Sequence, residues 1–118
     1  MTDPVSVRYM DALQRGQVAV VMGMPREAIG QYELAAALVP ERPLPLVRIG
    51  HIYLQMEQAR EALTAFEAAL RRAPADQEAL AGKAAALAAT GRSDEAGQTR
   101  ARAAQLAARH QVGRSRRR

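Results

Sequence analysis

The feature of this sequence that most limits its possible folds is a repeat with a period of 34 residues. When the chain is shifted by 34 positions, Gly16 falls on Gly50 and Tyr32 falls on Phe66. The other matching sets are Glu27, Glu61 and Glu95; Ala28, Ala62 and Ala96; Ala35, Ala69 and Ala103; and Pro40 with Pro74. Three blocks follow without a gap, at 9–42, 43–76 and 77–110. A period of this length predicts an array of small units that bury their apolar faces only by stacking on one another.

Composition and proline positions both predict that each unit is a pair of α-helices. The chain of 118 residues contains 26 Ala, the strongest helix former, and only four aromatic residues. Pro25 and Pro45 suit first helical turns, whereas Pro40 and Pro74 suit positions just after a helix. The predicted helices are 9–22, 25–38, 45–56, 59–72, 77–90 and 93–109.

The residues at fixed positions of the repeat resemble those of the tetratricopeptide repeat (TPR) family. The middle block carries the fullest set, which is Ile49, Gly50, Tyr53, Ala62, Phe66, Ala69 and Pro74. The third block departs from the pattern, with Lys83 in place of the usual Leu, Arg100 in place of the aromatic residue and Ala108 in place of the terminal Pro. The resemblance covers residues 9–110 and implies an all-α fold, a TPR-type right-handed α-solenoid of three helix-turn-helix repeats.

Six helices and no separate capping helix are expected within residues 9–110. We expect residues 1–8 to form an N-terminal leader and residues 111–118 to form a flexible basic tail. The last helix is Ala-rich and decorated with Arg, so it is expected to serve as its own cap.

Two glycines, Gly16 and Gly50, lie inside predicted helices, where a glycine costs about 1 kcal/mol relative to alanine. A close approach between the two helices of one hairpin would explain them, with small residues such as Ala62 opposite. Tyr32 and Phe66 are then expected to fill the gap between one hairpin and the next. These residues are expected to be core residues, so they define the fold and not the binding partner.

In the TPR family the first helix of each repeat lines a concave groove, and the resemblance implies that the same positions line one here. They are Leu13, Gln17, Val20 and Val21 in the first block, Val47, Arg48, His51, Leu54 and Gln55 in the second, and Ala81, Ala85, Ala88 and Ala89 in the third. Arg48, His51 and Gln55 also share one helical stripe by their spacing alone. An aliphatic lining with a small polar cluster suits an extended or helical apolar peptide. The alternative is that some of these aliphatic residues are ordinary contacts between helices.

Some members of the family hold the C-terminal carboxylate of a heat-shock chaperone with Lys, Arg and Asn side chains. Four of the five equivalent positions carry Leu13, Gln17, Glu78 and Gly82 here, and only Arg48 is basic. Docking of a free acidic C-terminus is therefore not expected. In groove character and repeat number the chain is similar to three-repeat bacterial chaperones that hold hydrophobic segments of secreted translocators. The leading hypothesis is a non-catalytic adaptor or chaperone-like module whose partner is a protein or peptide.

The positive charge of the chain is concentrated at its C-terminal end. Residues 96–118 contain seven Arg and no Asp or Glu, while the whole chain has a net charge of +5. The predicted basic patch consists of Arg100, Arg102, Arg109, Arg114, Arg116, Arg117 and Arg118. Such an arm can neutralise phosphates, so a second hypothesis is a nucleic-acid- or ribosome-associated module. A solvated terminus that binds nothing is the alternative. A third hypothesis is a self-assembling scaffold, a homo-oligomer in which the open end of the stack pairs with another copy.

Residue types that several other functions need are missing from the sequence. It has no Cys, only two His (His51 and His110), and no Ser-His-Asp set, glycine-rich phosphate loop or metal-ligand spacing. We therefore expect no catalysis, no cofactor and no metal ion. No apolar run has the length of a signal peptide or a membrane span, so we expect a cytoplasmic protein without membrane insertion.

Overall fold

The computed structural model describes residues 3–116, and within that range the chain forms six α-helices and no strand. They are α1 (Pro4–Val21), α2 (Pro25–Leu38), α3 (Leu44–Gln55), α4 (Ala59–Arg72), α5 (Gln77–Ala89) and α6 (Ser93–Arg116). The helices pair as α1–α2, α3–α4 and α5–α6, and the hairpins stack through α2–α3 and α4–α5 contacts. The predicted all-α solenoid of three helical hairpins is confirmed.

The turn inside each hairpin repeats with the same period as the sequence. Gly23, Glu57 and Gly91 follow one another at intervals of 34 residues and have positive φ angles of 73°, 60° and 83°. In the middle turn, the N–H of Gln58 donates to the carbonyl of Tyr53 at 2.9 Å, and the other two turns contain the equivalent bond. The left-handed residue lets the chain satisfy free carbonyls at the end of each first helix. Glycine adopts this conformation without a side-chain penalty, and Glu57 is the one residue of the three that does not have this freedom.

The four inner helices begin and end within one residue of their predicted bounds, but both outer helix ends were predicted wrongly. Helix α1 begins at Pro4 instead of residue 9, because proline fits a first helical position where its missing N–H is no loss. Residues 4–8 of the expected leader are therefore helical. Helix α6 continues to Arg116 instead of ending at 109. Gly113 and Ser115 each weaken a helix by about 1 kcal/mol or less, and neither removes a backbone N–H as proline would.

The glycines at the centres of the first helices make room for aromatic rings, and not for a neighbouring backbone as the sequence suggested. A Cβ added to Gly50 would lie 2.6 Å from the ring of Phe66, and a Cβ added to Gly82 would also overlap that ring. A Cβ added to Gly16 would lie 2.9 Å from the ring of Tyr32. Phe66 is fully buried between α3 and α5, which confirms its predicted place between two hairpins.

The core runs along the stack as three clusters of buried residues. Tyr9 belongs to the cluster inside the first hairpin, Tyr32 and Ile52 to the cluster between the first two hairpins, and Phe66 and Leu87 to the cluster between the last two. Among residues 3–113, whose burial is described, no polar or charged residue is buried as a whole. Each hairpin thus contacts only its neighbours, which is the arrangement of a solenoid.

Candidate functional site

The groove residues predicted from the sequence lie on α1, α3 and α5, the first helices of the three hairpins. Gln17, His51 and Ala85 occupy equivalent positions, and the first and last are exposed while His51 is half-buried. Helices α3 and α5 are in contact, and Val20 of α1 and Gln55 of α3 line a shared depression of about 220 Å³. The other exposed members are Val21, Arg48, Ala81, Ala88 and Ala89. We call this surface of α1, α3 and α5 the groove.

Val47 does not line the groove, so its assignment there was wrong. Its side chain is 1% exposed and belongs to the same buried cluster as Phe66 and Leu87. The physical reason is that Val47 lies three residues before Gly50 and so shares the face of α3 that the Phe66 ring covers. Leu54, half-buried, packs against the same cluster, and Leu13 packs against two clusters. Part of the expected aliphatic lining therefore consists of contacts between helices.

A polar cluster of three residues stands in the middle of the groove. Nη1 of Arg48 lies 3.4 Å from Oε1 of Glu78, and Nε2 of His51 lies 3.2 Å from the same oxygen. The three side chains are 40–50% exposed, so each pair contributes only about 0–1 kcal/mol. The sequence placed Glu78 at a carboxylate-clamp position, but it was not predicted to line the groove with the residues named above. Its position three residues before Ala81 on one helical stripe indicates that it belongs with them.

Two aromatic core residues support groove side chains from below. The ring of His51 meets the ring of Phe66 edge to face, with centroids 5.2 Å apart. The Tyr32 hydroxyl points at Oε1 of Gln17 from 3.5 Å, which is longer than a usual O–H···O hydrogen bond, so this contact is weak. Burial raises the pKa of Tyr32, and the positive charge of Arg48 partly opposes that effect. Tyr32 therefore remains a neutral donor near neutral pH, and the groove is continuous with the core beneath it.

The three residues of the predicted basic patch whose side chains are described do not form one face of α6. Arg100, Arg102 and Arg109 are all exposed. Arg102 and Arg109 are seven residues apart and share a stripe, but two residues of helix place Arg100 about 160° away from Arg102. Arg114 and Arg116 lie in α6 with their side chains outside the described part of the structure, and residues 117 and 118 are outside it altogether. The described part of the patch is therefore divided between two opposite faces of the helix and does not form a flat surface.

Two further features of the described chain concern ligands and membranes. Within residues 3–116, no group of three or more His, Cys, Asp or Glu side chains is placed to hold a metal ion. None of the six helices described is both long enough and apolar enough to cross a bilayer. In the groove, the one carboxylate of the polar cluster already has two partners.

Comparison with known proteins identifies the middle hairpin and the fold. Residues 45–76 match the family model described as tetratricopeptide repeat. The chain has no match among curated proteins. Among solved structures, it is similar to the second TPR of Spaghetti (RPAP3) bound to the HSP90 peptide SRMEEVD, at 21% identity and a TM-score of 0.77, covering 84% of this chain and 92% of that one.

Two other solved structures have the same fold. The second TPR domain of human RPAP3, in complex with the HSP70 peptide SGPTIEEVD, has 20% identity and a TM-score of 0.80, covering 86% of this chain and 85% of that one. The N-terminal domain of stress-induced protein-1 from C. elegans has 17% identity and a TM-score of 0.80, covering 89% and 88%. At these identities the likeness concerns the fold. Residues 45–76 thus match a tetratricopeptide repeat, and the three stacked hairpins together have the fold of the TPR domains in these solved structures.

Proposed function

We propose that this protein is a non-catalytic interaction module that binds an apolar peptide segment of a partner protein in its groove. The observation that carries the proposal is that Gln17, His51 and Ala85, which are equivalent in three successive hairpins, all remain accessible. Helices α3 and α5 are in contact, and Val20 of α1 and Gln55 of α3 line one depression, so a single extended peptide can lie along the three helices. A preformed surface of this kind binds without a large cost of ordering itself.

The lining of the groove supports an aliphatic ligand. Leu13, Val20 and Leu54 are half-buried, so each is held by the core and still offers apolar surface. Covering such surface with a ligand side chain contributes about 25 cal/mol per Å². Gln17 and Gln55 carry amide groups that both donate and accept, which suits the backbone of an extended peptide. The ligand would be held by its aliphatic side chains and oriented by hydrogen bonds to its backbone.

The charges of the groove disfavour the class of peptide that is bound in the RPAP3 structures. Those two domains are bound to peptides that end in EEVD. In this chain the positive charge of Arg48 is already compensated by Glu78, and Nε2 of His51 lies beside the same carboxylate oxygen. The Glu78 carboxylate would also repel an acidic terminus, because like charges juxtaposed across an interface cost binding energy. We therefore favour an internal apolar segment over a free acidic C-terminus.

A peptide selection with matched variants tests the proposal. Peptides selected from a random phage library on the purified protein should be enriched in aliphatic residues. Labelled copies should lose binding by more than tenfold, measured by fluorescence anisotropy, when Ala85→Trp fills the groove. Ala104→Trp is the matched control, since both alanines are exposed and helical but Ala104 lies on α6. The peptide SRMEEVD serves as the acidic probe and should bind more weakly than the selected ones.

Three results would contradict the proposal. One is a selection that enriches no aliphatic peptide, and another is equal binding to the Ala85→Trp and Ala104→Trp variants. The third is tight binding of SRMEEVD that Ala85→Trp abolishes, which would keep the groove as the site but replace the apolar ligand by an acidic one. Circular dichroism spectra should be the same for both variants, because neither alanine is buried.

A further inference from the structure

The outer face of α1 carries apolar side chains where the other hairpins have buried ones. Val18 is 53% exposed, whereas the equivalent residues Ile52 and Ala86 are 5% and 0% exposed. Ile52 is buried because it shares a core cluster with Tyr32 of the preceding hairpin. Met22, on the same face as Val18, is 67% exposed. By position in the repeat, this face of α1 is therefore the one on which a helix packs elsewhere in the stack.

The order of residues along this face is self-complementary. Val7, Asp11, Arg15 and Val18 lie within one helical stripe, in the order apolar, acid, base, apolar. If a second α1 packs antiparallel with its centre near residue 13, each Asp11 lies opposite the Arg15 of the other copy. Val7 then lies opposite the other copy's Val18 to within one residue. An isologous contact requires that a surface complement itself under a two-fold rotation, and this order does so.

We propose that two copies of this protein dimerise through the outer face of α1, packed antiparallel about a two-fold axis near residue 13. Asp11 and Arg15 now form an exposed pair within the helix, with Nε and Oδ2 3.0 Å apart. In the dimer these two pairs combine into a network of four charges between the two apolar ends. Beside α1, a depression of about 460 Å³ lined in part by Val18, Met22 and Met24 receives side chains of the other copy.

The size of this face determines how strong the dimer is. Helix α1 has 18 residues and is about 27 Å long. With α2 beside it, the face is about 20 Å wide and covers about 500 Å² on each copy, near the lower limit for a specific interface. The dimer should therefore dissociate on dilution. Leu13, Gln17 and Val20 of the groove lie about 100–160° around α1 from Val18, and only Val21 borders both surfaces, so peptide binding and dimerisation use largely different sides of the helix.

Sedimentation velocity over the micromolar to submillimolar range tests the inference on the full chain. The unmodified protein should pass from monomer to dimer as its concentration rises, and Val18→Asp should remain a monomer. Val112→Asp is the matched control, because Val112 of α6 is also a helical valine, 51% exposed, and lies far along the chain from α1. A protein that is monomeric at every concentration would overturn the inference. So would growth beyond a dimer, which indicates head-to-tail stacking of α1 on α6, or dissociation caused equally by Val112→Asp.

Charge exchange tests the two-fold geometry independently of the apolar contacts. Asp11→Arg places two like charges opposite one another in each half of the dimer and should abolish it. The double variant Asp11→Arg/Arg15→Asp restores opposite charges across the axis and should dimerise again. Both residues are more than half exposed, so the fold should tolerate these changes, and circular dichroism checks this. A double variant that stays monomeric while folded would refute the antiparallel arrangement.

Discussion

Replacing Gly50 by alanine should destabilise the protein, although alanine is the better helix former. A Cβ at this position would lie 2.6 Å from the Phe66 ring, about 1 Å inside the usual carbon–carbon contact of about 3.5–4.0 Å. The Phe66 ring cannot move away, because Gly82 of α5 lies close against it and Phe66 is 0% exposed. The change in the free energy of unfolding then depends on two opposing effects, the better helix propensity of alanine and the crowding of the Phe66 ring.

The magnitude follows from those two effects. Alanine in place of glycine in a helix contributes about 1 kcal/mol, whereas overpacking a well-packed core costs about 1–3 kcal/mol. Because the Phe66 ring is held on both sides, we expect the upper end of that cost and a net loss of about 2 kcal/mol. Gly30→Ala is the control, since a Cβ at Gly30 of α2 meets nothing within 4 Å. It should gain about 0.5–1 kcal/mol.

Urea unfolding followed by far-ultraviolet circular dichroism measures both variants in one assay. The same two substitutions are then made in a Phe66→Leu background, where the shorter side chain leaves space at Gly50. There Gly50→Ala should become neutral or stabilising, as Gly30→Ala is in either background. This double-mutant cycle isolates the contact between residue 50 and the ring.

Either of two results would refute this reasoning. If Gly50→Ala raises the free energy of unfolding as much as Gly30→Ala does, the ring does not press on α3. If Gly50→Ala is equally destabilising with Phe66 and with Leu at position 66, the loss has another origin than the ring.

Three other predictions concern single side chains. Tyr9→Phe should raise the free energy of unfolding by about 1 kcal/mol, because the Tyr9 hydroxyl is buried without a hydrogen-bond partner among the described residues; a lower urea midpoint would contradict this. Glu57→Gly should stabilise by about 0.5–1 kcal/mol, since the left-handed conformation at φ 60° costs a non-glycine residue about 1–2 kcal/mol and chain entropy offsets part of the gain; an unchanged melting temperature would contradict it. The raised pKa of Tyr32 means that the folded state favours the neutral phenol. The contribution of this preference to the free energy of unfolding is complete below the unfolded pKa of about 10, and it is lost as pH rises through the folded pKa. Tyr32→Phe should therefore flatten the alkaline fall in stability measured by urea unfolding, and an identical pH dependence in both proteins would exclude this role.

The fold could be predicted because the repeat records constraints that act over a short distance along the chain. Gly50 and Phe66 are 16 residues apart in one hairpin, and the size of one fixes the size of the other. Gly16 and Tyr32 form the same pair of a small and a large residue in the first hairpin, so the pair recurs in the sequence with the period of the repeat. The period alone did not reveal that the glycine faces a ring and not a backbone, since both explanations require a small residue.

The groove could be predicted only in outline, because its details depend on how neighbouring hairpins are placed side by side. Arg48 of α3 and Glu78 of α5 meet because of how far α5 is shifted along α3. That shift cannot be read from the spacing of residues within one helix. Val47 was misplaced because its stripe borders both the groove and the core, and only the position of Phe66 decides between them. The ends of α1 and α6 were missed for a different reason, since there differences of about 1 kcal/mol decide where a helix stops.

The arrangement of glycines around the two aromatic rings makes the two joints of the solenoid unequal. The Phe66 ring packs closely against Gly50 of the second hairpin and Gly82 of the third. Tyr32 has Gly16 on one side, but the residue in register with Gly82 is Arg48, an exposed charged side chain. The hinge after the first hairpin is therefore the looser of the two, and fluctuations that spread the helices should begin there. A peptide bound in the groove would therefore contact a more flexible junction between the first two hairpins and a more rigid junction between the last two.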